Sequence, residues 1–163
     1  MLDTTKITED NEHIYRYLSQ NYEAEFSPLT KKRPNSHGLY EYTKCDSIHE
    51  GYLFWNGKIP VGFVIVNIGL PLLDIAEFYI IPSERRFGYG KHLAHWTFSQ
   101  YPGNWQVRQI EGADWAYKFW VRAISSFSDG NFTDTKENDS EWGLVSIQRF
   151  ISYSKKTNQA IRD

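Results

Sequence analysis

Apolar residues along the first third of the chain recur at helical spacing and then give way to strand-like runs. Ile14, Tyr17, Leu18 and Tyr22 form one stripe of a helical wheel. Thr8 is positioned to cap a helix that begins at Glu9, with acidic residues in its first turn. Pro28 and Pro34 mark an irregular region after it. Residues 52–55 read as a strand, and Asn56-Gly57 follows as a hairpin signal, since both turn residues need positive φ. Residues 61–66 form the return strand, which Gly69 and Pro71 break. Residues 74–81 form a third strand, ended by Pro82 because proline cannot donate to the ladder. Residues 88–101 are predicted as a helix with a polar arc of Lys91, His92, His95 and Ser99 opposite Tyr89, Leu93 and Trp96. A strand at 105–110 and a helix at 114–127 follow. That helix sets Tyr117, Trp120, Ala123, Ile124 and Phe127 on its apolar side. Strands at 131–136 and 144–151 close the chain. The order predicts an α/β (α+β) fold, a mixed sheet with a parallel crossover near its middle.

Composition narrows the class. The chain has 163 residues, 40% of them hydrophobic, which suits one domain over residues 1–163. Charged residues make up 23% and the net charge is -2, whereas a nucleic-acid binder carries a basic stripe. The only basic cluster, Lys31-Lys32-Arg33, reads as a solvated loop. A single cysteine, Cys45, excludes an intramolecular disulfide and has no sequence neighbour to activate it. Residues 1–6 lack the apolar core of a signal peptide, and no apolar stretch approaches the ~20 residues that span a bilayer. The expectation is a cytoplasmic protein, monomer or homodimer, with neither nucleic acid nor membrane as partner.

Candidate chemistry concentrates in Arg85-Arg86-Phe87-Gly88-Tyr89-Gly90-Lys91, between a strand and a helix. Glycines allow close backbone approach to a ligand. The free N–H groups of a first helical turn favour an anion. Two arginines and a lysine add positive charge, so the segment describes a pyrophosphate cradle. It is neither a Walker loop nor the dinucleotide fingerprint. The alternative is a tight strand-to-helix turn with solvated arginines.

The segment resembles the acetyl-CoA loop of the GNAT acetyltransferases, Arg/Gln-x-x-Gly-x-Gly/Ala, with Arg85, Gly88 and Gly90 at the matching positions. Phe78-x-Ile80-x-Pro82 is similar to the strand that precedes that loop. Asn56-Gly57-Lys58 with Val61-Gly62-Phe63 resembles the family's hairpin, and Ala116-x-x-Phe119-Trp120 its fourth helix. Within the family, the runs around Ala76 and Pro102 are similar to a group of uncharacterised bacterial members. The resemblance implies a mostly antiparallel sheet of six to seven strands flanked by about four helices. It implies acetyl-CoA as co-substrate and transfer of its acetyl group to a primary amine of a small molecule or peptide. It implies cofactor contacts at Phe78, Ile80, Arg85, Arg86, Phe87, Gly88, Tyr89, Gly90, Lys91, Phe119 and Trp120. Two positions depart from the pattern. Ala113 stands near the family's pantetheine-contacting Asn, and Trp120 where many members carry a Tyr general acid. A module that binds acyl-CoA without turnover is the alternative those departures leave open.

Amine acetylation needs something to take a proton from the ammonium. Glu77 and Asp74 have opposite parity on one strand. Glu77 lies within an apolar run, where an unpaired charge is costly and implies a partner or a function. Glu77, Asp74, or water and the substrate itself remain as alternatives for the base, and an ion pair with Arg108 is the structural reading of Glu77. Tyr117 is a candidate general acid or a core tyrosine. Trp115 falls on the polar side of its helix. His92 and His95, one turn apart, read as solvated, and no metal is expected. Asp129, Asp134, Glu137, Asp139 and Glu141 form an acidic run, either a rim that steers a cationic acceptor or a solvated turn.

Overall fold

The computed structural model describes residues 1–154. Their order is β1 Leu2–Lys6, α1 Glu12–Thr30, β2 His49–Asn56, β3 Ile59–Asn67, β4 Leu73–Ile80, a 3-10 turn Pro82–Glu84, α2 Tyr89–Gln100, β5 Gly103–Ile110, α3 Asp114–Ser128, β6 Phe132–Asp139 and β7 Gly143–Ser152. The seven strands follow the sheet order β1-β2-β3-β4-β5-β7-β6. Three α-helices stand among the described residues, where the resemblance implies about four. The contacts group the chain into two units: Met1–Gly69 with Ile75–Gly90, and Leu70–Asp74 with the chain from Lys91 on.

In the first unit β1 pairs antiparallel with β2, and β2 with β3. β1 escapes the sequence reading because its Leu-Asp-Thr-Thr-Lys run is half exposed at a sheet edge and shows little apolar alternation. The hairpin turn also differs. Asn56 pairs with Ile59, so the turn residues are Gly57 and Lys58, and only Gly57 takes positive φ, at 61°. A register shift at Phe54/Trp55 absorbs the difference.

Helix α1 begins at Glu12, not Glu9. The Asn11 side chain accepts from the Thr8 N–H and donates to the Lys6 carbonyl, which ties residues 8–11 into a turn first. The stripe it buries runs through Tyr15, Leu18, Ser19 and Glu23, whereas Tyr17 is 73% exposed. Pro28 does not end the helix. It cannot donate to the Ala24 carbonyl, and the Ser27 hydroxyl does so instead, at 2.7 Å. The helix closes at Lys31, which adopts a left-handed conformation. Tyr15, Leu18, Leu53, Phe63, Ile65 and Tyr79 make the core of this unit. A Cβ on Gly62 would collide with the Tyr79 carbonyl, so only glycine allows β3 to pass there.

In the second unit Leu73 and Asp74 pair parallel with Trp105 and Gln106, and β5 and β6 both pair antiparallel with β7. Phe98, Trp105, Trp120, Phe127 and Phe150 pack as an aromatic core, with Phe98 and Phe150 at 4.7 Å between ring centres. His95 belongs to this core rather than to solvent. Its Nε2 donates to the Ala123 carbonyl at 2.8 Å, its ring meets Phe127 edge-on, and burial holds it below the usual histidine range. No helix of the described residues is long and apolar enough to cross a membrane.

Candidate active site

Strand β4 carries Glu77 into the core of the first unit, where the side chain is 5% exposed. Arg108 is not its partner. The Thr43 hydroxyl donates to Oε1 at 2.7 Å, and the Tyr15 phenol lies 2.9 Å from Oε2. The phenol oxygen is also 2.6 Å from the Thr43 carbonyl. A phenol has one hydrogen, so the trio has two arrangements. With Glu77 ionised, Tyr15 donates to the carboxylate and the Thr43 carbonyl gives up that donor. With Glu77 protonated, the acid donates to Tyr15 and Tyr15 to the Thr43 carbonyl. Each Glu77 oxygen therefore keeps a hydrogen-bond partner in either protonation state. Burial pushes the Glu77 carboxyl above its ordinary range, and the bonds from Thr43 and Tyr15 pull it back in part. Burial and the neighbouring carboxyl push Tyr15 upward, so the phenol stays protonated. Three residues before Thr43, the Gln20 side chain anchors the same segment by bonding both the N–H and the carbonyl of Tyr40.

After β4 the chain passes through the 3-10 turn into α2. Arg86 and Gly88 take φ of 70° and 82°, in the left-handed region. A Cβ on Gly88 would meet nothing within 4 Å, so the glycine answers to its φ and open space adjoins it. No acidic residue stands in the first turn of α2. Arg86, Phe87, Gly88 and Lys91 are exposed, Phe87 at 67%. Arg85 is turned differently from Arg86. Its Nε donates to the Ile80 carbonyl, its two terminal nitrogens bond Glu25 at 3.0 and 2.7 Å, and its guanidinium covers the Tyr79 ring. Tyr89 accepts from Asn56 and meets Phe54 edge-on. Ile80 is buried, Phe78 half-buried and Gly90 the second residue of α2. Cys45 is half-buried, and burial pushes its thiol up to about 11, so it is no thiolate at neutral pH.

In the second unit Asp74 is 1% exposed and bonds Arg108 at 2.7 Å and Gln106 at 3.1 Å. Arg108 also bonds Asp139 at 3.2 Å. Two of the five residues in the acidic run are thus ion-paired, Asp139 with Arg108 and Glu137 with Arg149 in a two-pronged pair, while Asp134 accepts from Gln148 and Tyr117. Tyr117 is half-buried and donates to Asp134 at 2.5 Å, a bond that raises its phenol above the ordinary range. Trp120 is 6% exposed against Phe98 and Phe119, and Trp115 is 52% exposed. Among the described residues no group of three or more His, Cys, Asp or Glu is arranged to hold a metal ion.

Sequence reasoning missed Tyr15 and Thr43. Tyr15 lies inside the apolar helical run and reads as core, while Thr43 lies in an irregular segment with no periodicity. It also missed Gln109 and Gln148, buried polar residues at apolar positions of β5 and β7; that misfit in the strand pattern was the available signal.

Comparison with sequence-family models and with curated proteins gives no match. Solved structures do match. A GNAT-family acetyltransferase of Bacteroides thetaiotaomicron is 15% identical, with a TM-score of 0.64, over 98% of this chain and 93% of its own. A Bacillus subtilis acetyltransferase in complex with CoA is 13% identical, with a TM-score of 0.56, over 93% and 99%. A dodecameric spermidine N-acetyltransferase of Vibrio cholerae is 9% identical, with a TM-score of 0.61, over 98% of both chains.

Proposed function

We propose, from a fold that is that of the GNAT acetyltransferases, that this protein is an acetyl-CoA-dependent N-acetyltransferase. It moves the acetyl group directly to a primary amine of a small molecule or peptide. The observation that carries the reading is the turn between β4 and α2. There Arg86 and Gly88 are both left-handed, open space adjoins Gly88, and no carboxylate stands in the first helical turn. A non-glycine residue at positive φ costs about 1 kcal/mol or more, a strain that clusters at ligand clamps. These residues fit a pyrophosphate: backbone N–H groups and the exposed Arg86 and Lys91 supply donors and charge. Arg85 serves the turn from behind, holding it to Ile80 and Glu25.

Acetyl-CoA supplies an activated thioester carbonyl. The amine must reach that carbonyl neutral, and Glu77 is the proposed proton acceptor. Burial makes it a stronger base than an ordinary glutamate, and Thr43 and Tyr15 give each of its oxygens a hydrogen-bond partner in either protonation state. A second reading, an acyl-CoA-binding module without turnover, draws on Tyr117. Its phenol is committed to Asp134 and made a weaker acid, and Trp120 stands where many members carry the acidic tyrosine.

Thiol release from acetyl-CoA across a panel of amines separates the two. The transferase releases CoA in an amine-dependent manner and yields N-acetylated product. Binding of acetyl-CoA with no amine-dependent release across polyamine, amino-acid and peptide acceptors supports the module.

A further inference from the structure

Between α1 and β2 the chain runs through residues 31–48 without helix or strand. Side chains of α1 and β4 hold this segment at four points. Lys32 pairs with Glu23 at 3.4 Å. The Gln20 amide bonds the N–H and the carbonyl of Tyr40, at 2.7 and 2.9 Å. The Tyr42 phenol donates to Glu12 at 3.3 Å, and the Arg16 guanidinium lies over its ring. The Thr43 hydroxyl donates to Glu77. Residues 33–39 are exposed, and Asn35 closes their turn on itself, accepting from the N–H groups of His37 and Leu39. Two of the holding residues, Glu23 and Glu77, are buried carboxyls.

The proton on Glu77 changes how firmly residue 43 is held. With the acid protonated, Tyr15 donates to the Thr43 carbonyl, so both polar groups of Thr43 are bonded. With the anion, the single phenol hydrogen goes to the carboxylate and the Thr43 carbonyl loses it. The anion also has only neutral hydroxyls as bonding partners inside the fold, which is costly, and water reached by lifting the segment relieves that cost. The Thr43 hydroxyl bonds the anion more strongly than the acid, which opposes lifting. A single strengthened bond is a smaller effect than withdrawing a carboxylate from water.

We propose that residues 40–43 form a proton-linked strap, closed over Glu77 while it is protonated and lifting as it ionises. Glu77 then meets solvent chiefly as an anion and is shielded once it has taken up a proton. The groups around it on α1 and the strap are Tyr15, Tyr22, Glu23, Lys32 and Cys45. Burial raises both phenols and the thiol, so these stay protonated at neutral pH. Burial raises Glu23 as well, but Glu23 holds Lys32 at the other end of the segment. The inference rests on the Glu77 arrangement and does not use acetyl transfer.

Cys45, half-buried and two residues beyond Thr43, is the reporter, because it is the only cysteine of the chain. Its labelling by dithiodipyridine is timed in wild type and in Glu77→Gln, whose neutral amide reproduces the bonds of the acid. The reading is the ratio of the two rates between about pH 5 and pH 8. Thiol chemistry and the titration of Glu23 are common to both proteins and cancel. The expected ratio rises with pH by at least about threefold, and by no more than about tenfold per pH unit, the limit for one proton. The rates should be insensitive to urea below the unfolding transition. A flat or falling ratio overturns the proposal. So does labelling that accelerates with urea as steeply as unfolding, which makes global unfolding the route to Cys45. Should Glu77→Gln not fold, N-acetylcysteinamide replaces it as the reference thiol, with the same rise expected.

Discussion

Two carboxylates three residues apart on β4 are both withdrawn from water, yet they are satisfied in opposite ways. Asp74 is paired with a guanidinium, which is always charged, and so is held as a carboxylate. Glu77 is bonded only by neutral hydroxyls, those of Tyr15 and Thr43, which can partner the carboxyl in either protonation state. The first arrangement fixes a charge in place. The second leaves a proton free to come and go, and burial tilts it toward the protonated form. A buried carboxylate signals chemistry only when its partners tolerate both protonation states.

The strongest way to break this comparison is Glu77→Gln. If Glu77 accepts the amine's proton, turnover falls by about 10²–10⁴-fold, with acetyl-CoA affinity little changed, as steady-state kinetics and calorimetry would report. Equal turnover would remove Glu77 from the chemistry. Next in size is Arg108→Ala, which leaves Asp74 charged and buried. The loss should be about 2 kcal/mol in urea unfolding, below the range for a fully buried pair because Arg108 is 34% exposed.

The slope of stability with pH sharpens the contrast further. Glu77 is raised above its ordinary value of 4.5, so the folded state keeps its proton where the unfolded chain has released it. That contribution is full below the unfolded value and is lost as pH rises through the folded one. Wild type measured against Glu77→Gln should therefore lose stability toward neutral pH, by no more than about 1.4 kcal/mol per pH unit. Tyr15→Phe removes a donor from the anion and should steepen that slope. A flat difference would mean that Glu77 does not titrate between the two states. The smallest effect belongs to the surface. Glu137 already pairs with Arg149 in solvent, so Glu137→Gln should leave the urea midpoint and the KM for any amine substrate nearly unmoved.

The residues reveal the α2 and α3 helices, the strands β2 to β7 and the turn at 85–91 because each is written in local periodicity or in glycine placement. β1 is not legible, since an edge strand of threonines and charges gains its structure from β2 rather than from its own pattern. Pro28 misleads because its cost is relieved by a neighbouring serine hydroxyl, a compensation that no propensity records. The suspicion that Glu77 needed a partner is sound, but the partner is not Arg108. Tyr15 and Thr43 lie 62 and 34 residues away along the chain, and only the fold brings them to it. Likewise the acidic run reads as either a rim or a solvated turn, and its ion-pair partners come from strands apart in sequence, Arg149 on β7 for Glu137 and Arg108 on β5 for Asp139.

The central claim, acyl-CoA chemistry at the turn between β4 and α2, is tested most directly by calorimetric titration of the protein with acetyl-CoA. The account predicts one saturable site that stabilises the fold by about 2.7 kcal/mol at 100 times its dissociation constant. It also predicts loss of that site in Gly88→Glu, which sets charge and a strained φ against the phosphates. No heat of binding and no stabilisation by millimolar acetyl-CoA in the wild-type protein would contradict it.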